Sequence, residues 1–389
     1  MEAKIQAKKH INWKNLLVEW LGRGEVESNV FCNVEDESLP LLALRLLYCL
    51  RERRLLIIFP NSSLAEHEFS LLKGCHADFS FIRDDFFFIP ELSSGGKHPS
   101  AELMSRVSRS IDAVTSSAPG VFFTSCGALI SSLPAKFAKG SAHILKEGAE
   151  FSPDLLGRAL VDMNYADEYE TVSPGEFSRR GGGIIDIFSP SEDFPARVEF
   201  FGDRIESIRL FDPVGQRSLN RAASYRVSPF FETGNSCEDG GEVGLHEFFA
   251  GHENRMIICY PGACDSQIGR FFGADAPPLW NKIKETAKDR IYLLDSVESS
   301  EYPGGEDCAG IPYSSAIPGV PDLSREAAQE QAFKKVENLL KSGYLVVVGV
   351  RDDDGVRHVR EMLDRKGLSE VSVERCAFAH SFLIKDLNL

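Results

Sequence analysis

The sequence predicts an α/β protein: a parallel-sheet domain with an inserted small α+β domain built on an antiparallel sheet, followed by a partial second α/β unit. Three observations carry this. Apolar runs of strand length alternate with helical patterns up to about residue 139. Short strands of alternating polarity, separated by Pro-Gly, Gly-Gly-Gly, Ser-Pro and Gly-Asp turns, follow to residue 218. A helix–strand–helix pattern then returns beyond residue 322. The expected domains are 1–139, 140–218, 219–321 (completing the first) and 322–389.

In the first domain a helical pattern from Leu39 to Arg51 leads into the apolar strand Leu55 to Phe59, which stops at Pro60-Asn61. A helix from Ser62 to Leu72 follows, its serine-rich start offering cap oxygens. Phe86 to Ile89 reads as a strand, Ala101 to Val114 as a helix and Gly120 to Ser125 as a second buried strand. Strands alternating with helices call for a parallel sheet covered on both faces.

In the second domain Ser152-Pro153 form an N-cap and first-turn pair for a helix reaching about Met163. The strands expected after it are Glu170 to Val172, Ile184 to Phe188, Ala196 to Phe201 and Arg204 to Phe211. One face of that sheet would pack on the helix, leaving the other open to solvent or a partner. Residues 220–321 are less regular and contain one buried strand pattern, Met256 to Tyr260. The last unit reads as a helix from Ser324 to Ser342, a strand from Tyr344 to Val350 and a helix from Gly355 to Lys366. The chain stops at Leu389 in an apolar pattern with no stop signal, as at a truncation.

Composition excludes some functions. A formal net charge of -15 argues against a broad non-specific DNA surface, which needs Lys and Arg to neutralise phosphates. No apolar run is long enough for a bilayer, and the basic N-terminus lacks a signal peptide's apolar core. The 9 cysteines show neither C-x-x-C pairs nor zinc spacing and read as reduced structural thiols of a cytoplasmic protein.

An α/β sheet at the start of a chain raises the question of a phosphate-binding loop. No glycine occurs between Gly24 and Gly74, and the segment before the Leu39 helix reads Cys32-Asn-Val-Glu-Asp-Glu-Ser38. Phosphate cradling needs close backbone approach and a lysine at the helix start. Glu35, Asp36 and Glu37 would repel a triphosphate instead. Gly95-Gly96-Lys97-His98 lacks the upstream glycine and the Ser/Thr after the lysine, and reads as a solvated loop. The first domain is therefore expected to be a degenerate RecA-like, or P-loop-like, sheet without nucleotide chemistry. Nucleophile elbows and H-e-x-x-H zinc motifs are also missing, and His246 and His252 read as surface residues.

The small domain carries the positive signal. Along Arg197-Val198-Glu199-Phe200-Phe201 the side chains alternate, so Val198 and Phe200 face the core while Arg197, Glu199 and Phe201 share the other face. A large aromatic beside an arginine on an open sheet is the chemistry of a binding hot spot. Arg179-Arg180 could lie nearby across the sheet. The competing reading packs Phe201 under a loop and pairs the arginines with Glu176 or Asp186.

These residues resemble the UvrB-homology region of the bacterial transcription-repair coupling factor family, Mfd. The resemblance runs through Pro174-Gly175-Glu176-Phe177-Ser178, the Arg-Gly-Gly core and Ile184-Ile185-Asp186-Ile187-Phe188. It continues in Arg197-Val198-Glu199-Phe200-Phe201-Gly202-Asp203, Ile205 to Arg209, Phe211-Asp212-Pro213 and Gln216-Arg217-Ser218. Weaker similarity extends to Phe88 to Leu92, to Phe122 to Leu133 and to the Ser324 to Lys366 unit, which is similar to part of the family's third domain. UvrB itself would keep the phosphate loop and an aromatic-rich hairpin, and no Phe, Tyr or Trp occurs between Phe88 and Phe122. One departure from the family is a third glycine, Gly181-Gly182-Gly183.

The resemblance implies a UvrA-binding surface made by Arg180, Arg197 and Phe201. It implies a non-catalytic adaptor that brings UvrA to stalled RNA polymerase in nucleotide excision repair. No catalytic residue, cofactor or metal belongs to this segment. ATP with Mg, the polymerase and DNA are engaged by family modules outside it. Two readings compete: a helicase-like fragment with residual nucleotide or DNA binding, and a free-standing UvrA-binding protein.

Overall fold

The computed structural model describes residues 13–22, 30–32, 34, 39–50, 54–75, 79, 85–91, 101–115, 120–134, 142–230, 242–249, 254–286, 289–294, 306–307, 313–315, 325–376 and 382–384. It divides into two units: Met1–Phe86, Arg255–Asp265 and Lys288–Leu389 form one, Phe87–Asn254 and Ser266–Ala287 the other. The expected phosphate-loop remnant, Glu35 to Ser38, the Gly95 to His98 loop and His252 lie outside the described residues.

In the first unit strands follow the order Glu306–Asp307, Val30–Cys32, Asp289–Leu293, Asn254–Cys259, Arg54–Phe59. Val30–Cys32 runs parallel to both of its neighbours, and Asn254–Cys259 runs parallel to Asp289–Leu293. All six residues of Arg54–Phe59 are buried, as a strand covered on both faces requires. The following helix, Ser62–Gly74, is capped by Asn61 and not by a serine: its Oδ1 accepts from the Leu64 amide at 2.9 Å. Asn61 is the last extended residue (φ -143°), and only a side chain at that position can reach back to the free amides of the first turn.

Residues 325–376 form the α/β element expected at the end of the chain. Val347–Val350 pairs in parallel with Ser372–Arg375, with helices Arg325–Lys341 and Asp353–Arg365 beside them. Val336, Val346, Leu363, Val371 and Val373 make its core. Asp352 caps the second helix, its Oδ1 accepting from the Gly355 amide at 2.7 Å.

In the second unit, strands Phe86–Ile89 and Val121–Ser125 are neighbours, and helix Ala101–Thr115 lies between them in sequence. The small module follows. Its elements are β1 (His143–Lys146), α1 (Pro153–Asp162), β2 (Ala166–Asp167), β3 (Glu176–Arg180), β4 (Ile184–Ile187), β5 (Ala196–Phe201), β6 (Arg204–Phe211), β7 (Ser218–Arg221) and β8 (Ser224–Val227). Six strands form one sheet in the order β7-β6-β5-β4-β3-β2, antiparallel except for the short parallel edge β2. Pro153 opens α1 as expected, although the Ser152 side chain makes no cap hydrogen bond.

The expected strand Glu170 to Val172 is absent. That stretch is bent, because the Glu176 carboxylate takes the amides of Val172 and Ser173, each at 2.8 Å, that a strand would spend on a neighbour. The strands there are β2 and β3. The module also runs on past residue 218: β8 pairs with β1, and Tyr225 and Val227 join the core with Leu156, Leu160, Phe177, Ile185, Val198 and Ile208. Side-chain contacts tie it to helix Ala101–Thr115, among them the Ser105 hydroxyl and Arg109 Nε donating to the Pro190 carbonyl at 3.2 and 3.3 Å. Arg226 grips Asp112 through two 2.7 Å hydrogen bonds, and Arg109 reaches Asp193 at 3.1 Å.

Candidate docking face of the small sheet

Strand register decides which side chains share a face. Ser178, Asp186 and Arg197 are directly opposed across β3, β4 and β5, and Arg180, Ile184 and Glu199 form the next row. Val198 and Phe200 point into the module core. Alternation along β5 therefore places Arg197, Glu199 and Phe201 on the face away from that core, as the sequence indicated. The extra residue of a bulge opposite Glu199 and Phe200 falls in β6 and does not disturb the alternation of β5.

The two arginines meet at one acid. Asp186 is fully buried, and Arg197 binds it as a fork: Nε to Oδ1 and Nη2 to Oδ2, both at 2.7 Å. Arg180 Nε reaches the same Oδ2 at 2.9 Å. Burying a carboxylate costs several kcal/mol unless charged donors surround it. Here two charge-assisted hydrogen bonds from Arg197 and the ion pair with Arg180 supply the compensation. The bonds to Asp186 in turn raise the already high pKa of Arg197.

Further contacts fix each guanidinium. Arg197 lies over the ring of buried Phe211, 5.0 Å from its centroid. Arg180 Nη2 donates to Gln216 Oε1 at 2.8 Å. Gln216 sits in the left-handed region (φ 54°), and its Nε2 donates to the carbonyls of Thr171 and Pro213 at 3.1 and 2.9 Å. Thr171 Oγ1 donates to Ser178 Oγ at 3.0 Å. The bent 170–173 segment and the 212–216 loop are thereby stitched over one end of the face.

Phe201 presents a different surface. It closes β5, opposite Arg204, just before the two-residue turn Gly202-Asp203, where Gly202 supplies the positive φ of 61°. Its ring is 79% exposed, so no loop covers it. Four residues along the strand separate it from Arg197, roughly 13 Å at strand rise. The third glycine of the β3–β4 turn leaves Arg180 in register: Arg180 pairs with Ile184, and Gly181 takes the left-handed conformation (φ 63°).

The structure thus brings Arg180 and Arg197 together, and stands Phe201 on the same face a short way along. Arg180 and Arg197 make the Asp186 pairing that the competing sequence reading held out, while the expected cover over Phe201 does not exist. Gln216 is the residue that sequence reasoning did not single out for the site, and Asp186 was held out only as one of two possible acids. The signal for Asp186 was available: an acid enclosed by Ile184, Ile185 and Ile187 must have a cationic partner. Gln216 carried no such signal, because its role depends on a left-handed loop.

Residues 144–232 match the UvrB interaction domain family. The chain is also similar to curated relatives. The transcription-repair-coupling factor of Myxococcus xanthus is 44% identical over 97 residues, 25% of this chain and 8% of that protein. Its Bacillus subtilis counterpart is 36% identical over 96 residues, again 25% and 8%. The UvrABC system protein B of Synechocystis is 36% identical over 101 residues, 25% of this chain and 15% of the relative. The similarity therefore spans a small part of each of these longer proteins.

Among the described residues no cluster of three or more His, Cys, Asp and Glu could hold a metal, and no helix is long and apolar enough to cross a membrane. His246 lies in the short 3-10 helix Leu245–Phe248. Cys75, Cys126, Cys259, Cys264 and Cys376 are buried, and burial pushes the Cys259 thiol well above its usual range.

Proposed function

We propose that this chain is an adaptor of transcription-coupled nucleotide excision repair whose small module docks UvrA through Arg180, Arg197 and Phe201. The observation that carries this is a bare aromatic on the same sheet face as two arginines already immobilised by a buried acid. Preorganised side chains lose little conformational freedom on binding, which favours an anchor role. The match to the UvrB interaction domain and the likeness to both transcription-repair-coupling factors and UvrB support UvrA as the partner. In this reading the segment brings UvrA to stalled RNA polymerase and itself neither hydrolyses ATP nor moves on DNA. The glycine-free, acid-rich Cys32 to Ser38 sequence supports that part.

Purified UvrA titrated against the chain tests the assignment. Phe201→Ala and Arg197→Ala should each weaken binding by roughly 2 kcal/mol or more, about thirtyfold, with Arg180→Ala expected to follow. Undiminished binding by all three folded variants would overturn the site. ATP turnover above background by the isolated chain would favour the helicase-like alternative.

A further inference from the structure

The arginine row does not end at Arg197. Arg209 of β6 lies directly opposite Arg197, and Arg221 of β7 lies directly opposite Arg209. Three cations thus stand side by side across three strands, about 5 Å apart at neighbouring positions. Like charges so placed repel and weaken a sheet. Each is offset by one acid: Asp186 for Arg197, Glu199 for Arg209 at 3.1 Å, and Glu147 for Arg221 at 2.8 Å. Arg180 is the fourth cation and has only a share of Asp186. Arg180, Arg197, Arg209 and Arg221 thus stand against three paired carboxylates, while the chain as a whole carries -15.

Exposure changes along the row. The Arg197 side chain is 18% exposed, Arg209 48% and Arg221 63%. The outer two keep free N–H groups in solvent, since Arg209 spends one Nη2 donor on Glu199 and Arg221 spends two donors on Glu147. A guanidinium so placed can take a second carboxylate without releasing the first.

We infer that the docking face continues from the Arg180–Asp186–Arg197 cluster to Arg209 and Arg221. It receives an acidic stretch of the partner, with carboxylates about 5 Å apart, laid across the strands. The inference rests on the proposed docking function and adds the chemistry of the complementary surface. Because the rest of the chain repels acidic surfaces, the row also orients the encounter.

The test is UvrA binding by the full chain at low and high salt, comparing wild type, Arg209→Gln, Arg221→Gln, the double variant and Phe201→Ala. Neither glutamine should unfold the module: Glu199 keeps its 2.6 Å bond from Ser207 Oγ, and Glu147 is partly solvated. Each single variant should lose about twofold to fivefold in affinity at low salt, the double more, with the gap closing as salt rises. Phe201→Ala should lose affinity at every salt concentration. A folded double variant with wild-type affinity and salt dependence removes the extension, and a loss by Phe201→Ala in that case leaves the docking reading standing. If Phe201→Ala is also silent, or wild type does not bind UvrA, both fall. Should Arg209→Gln melt early, Arg221→Gln on the edge strand decides alone, with Arg221→Glu expected to lose more.

Discussion

Ion pairs in the sheet module and in the 325–376 element have similar lengths and opposite physical meaning. Lys341–Glu337 at 2.6 Å, Lys366–Glu330 at 2.9 Å, Arg365–Glu361 at 3.4 Å and Arg357–Asp354 lie on helices or, for Lys366, at a helix C-cap, with each side chain about half exposed or more. Arg180 and Arg197 hold Asp186 at 2.9 and 2.7 Å, but that acid has no contact with water. Distance alone does not separate the two sets. Burial does: solvated pairs contribute little, whereas a buried acid makes its partners obligatory and so holds them still. A fixed arginine is a better docking group than a mobile one.

The strongest way to break this contrast is to remove the buried acid. Asp186→Ala leaves two arginines facing an apolar strand without their acceptor and should destabilise the module by about 3–5 kcal/mol in a denaturant melt. A change below 1 kcal/mol would mean that Asp186 is no anchor. Burial also governs two phenols. Tyr165 donates to the Ser228 carbonyl at 2.6 Å, and Tyr225 accepts the Ser189 amide at 2.9 Å; desolvation holds both well above the ordinary 10.0. Their folded pKa values are raised, so the stability they contribute is complete below pH 10.0 and falls as pH rises beyond it. Phenolate absorbance followed across an alkaline titration should show them ionising only with unfolding. Early ionisation would break the argument.

Smaller effects sharpen the comparison. Tyr225→Phe removes a hydroxyl shared among Ser189, Ile187 and Phe194, and should cost about 1–2 kcal/mol by chemical denaturation. Lys341→Ala, at the solvated end of the scale, should leave the melting temperature unchanged. A large drop there would show that helix-surface pairs matter as much as buried ones.

How much of this was legible beforehand varied with the physics. Period-two alternation placed Arg197, Glu199 and Phe201 on one face, because pleating leaves no other choice once Val198 and Phe200 are inside. The buried strands Arg54–Phe59 and Val121–Ser125 were equally plain as apolar runs. What the sequence hid was which groups pair. The amides of Val172 and Ser173 pair with a side chain and not a strand, which unmade the strand expected there. Ser218–Arg221 has no apolar periodicity, all four residues being exposed, so its pairing with β6 left no pattern to find. Arg180 and Arg197 were visible as charges, but their common acceptor depended on strand register.

The glycine turn between β3 and β4 has one more consequence. A side chain added at Gly181 or Gly182 would meet nothing within 4 Å, and the pairing of Arg180 with Ile184 closes the hairpin below them. A side chain at Gly182 would therefore displace no neighbour within the module. The same open space makes Gly182 a site for a fluorescent label beside Arg180, where docking would change the label's surroundings in real time.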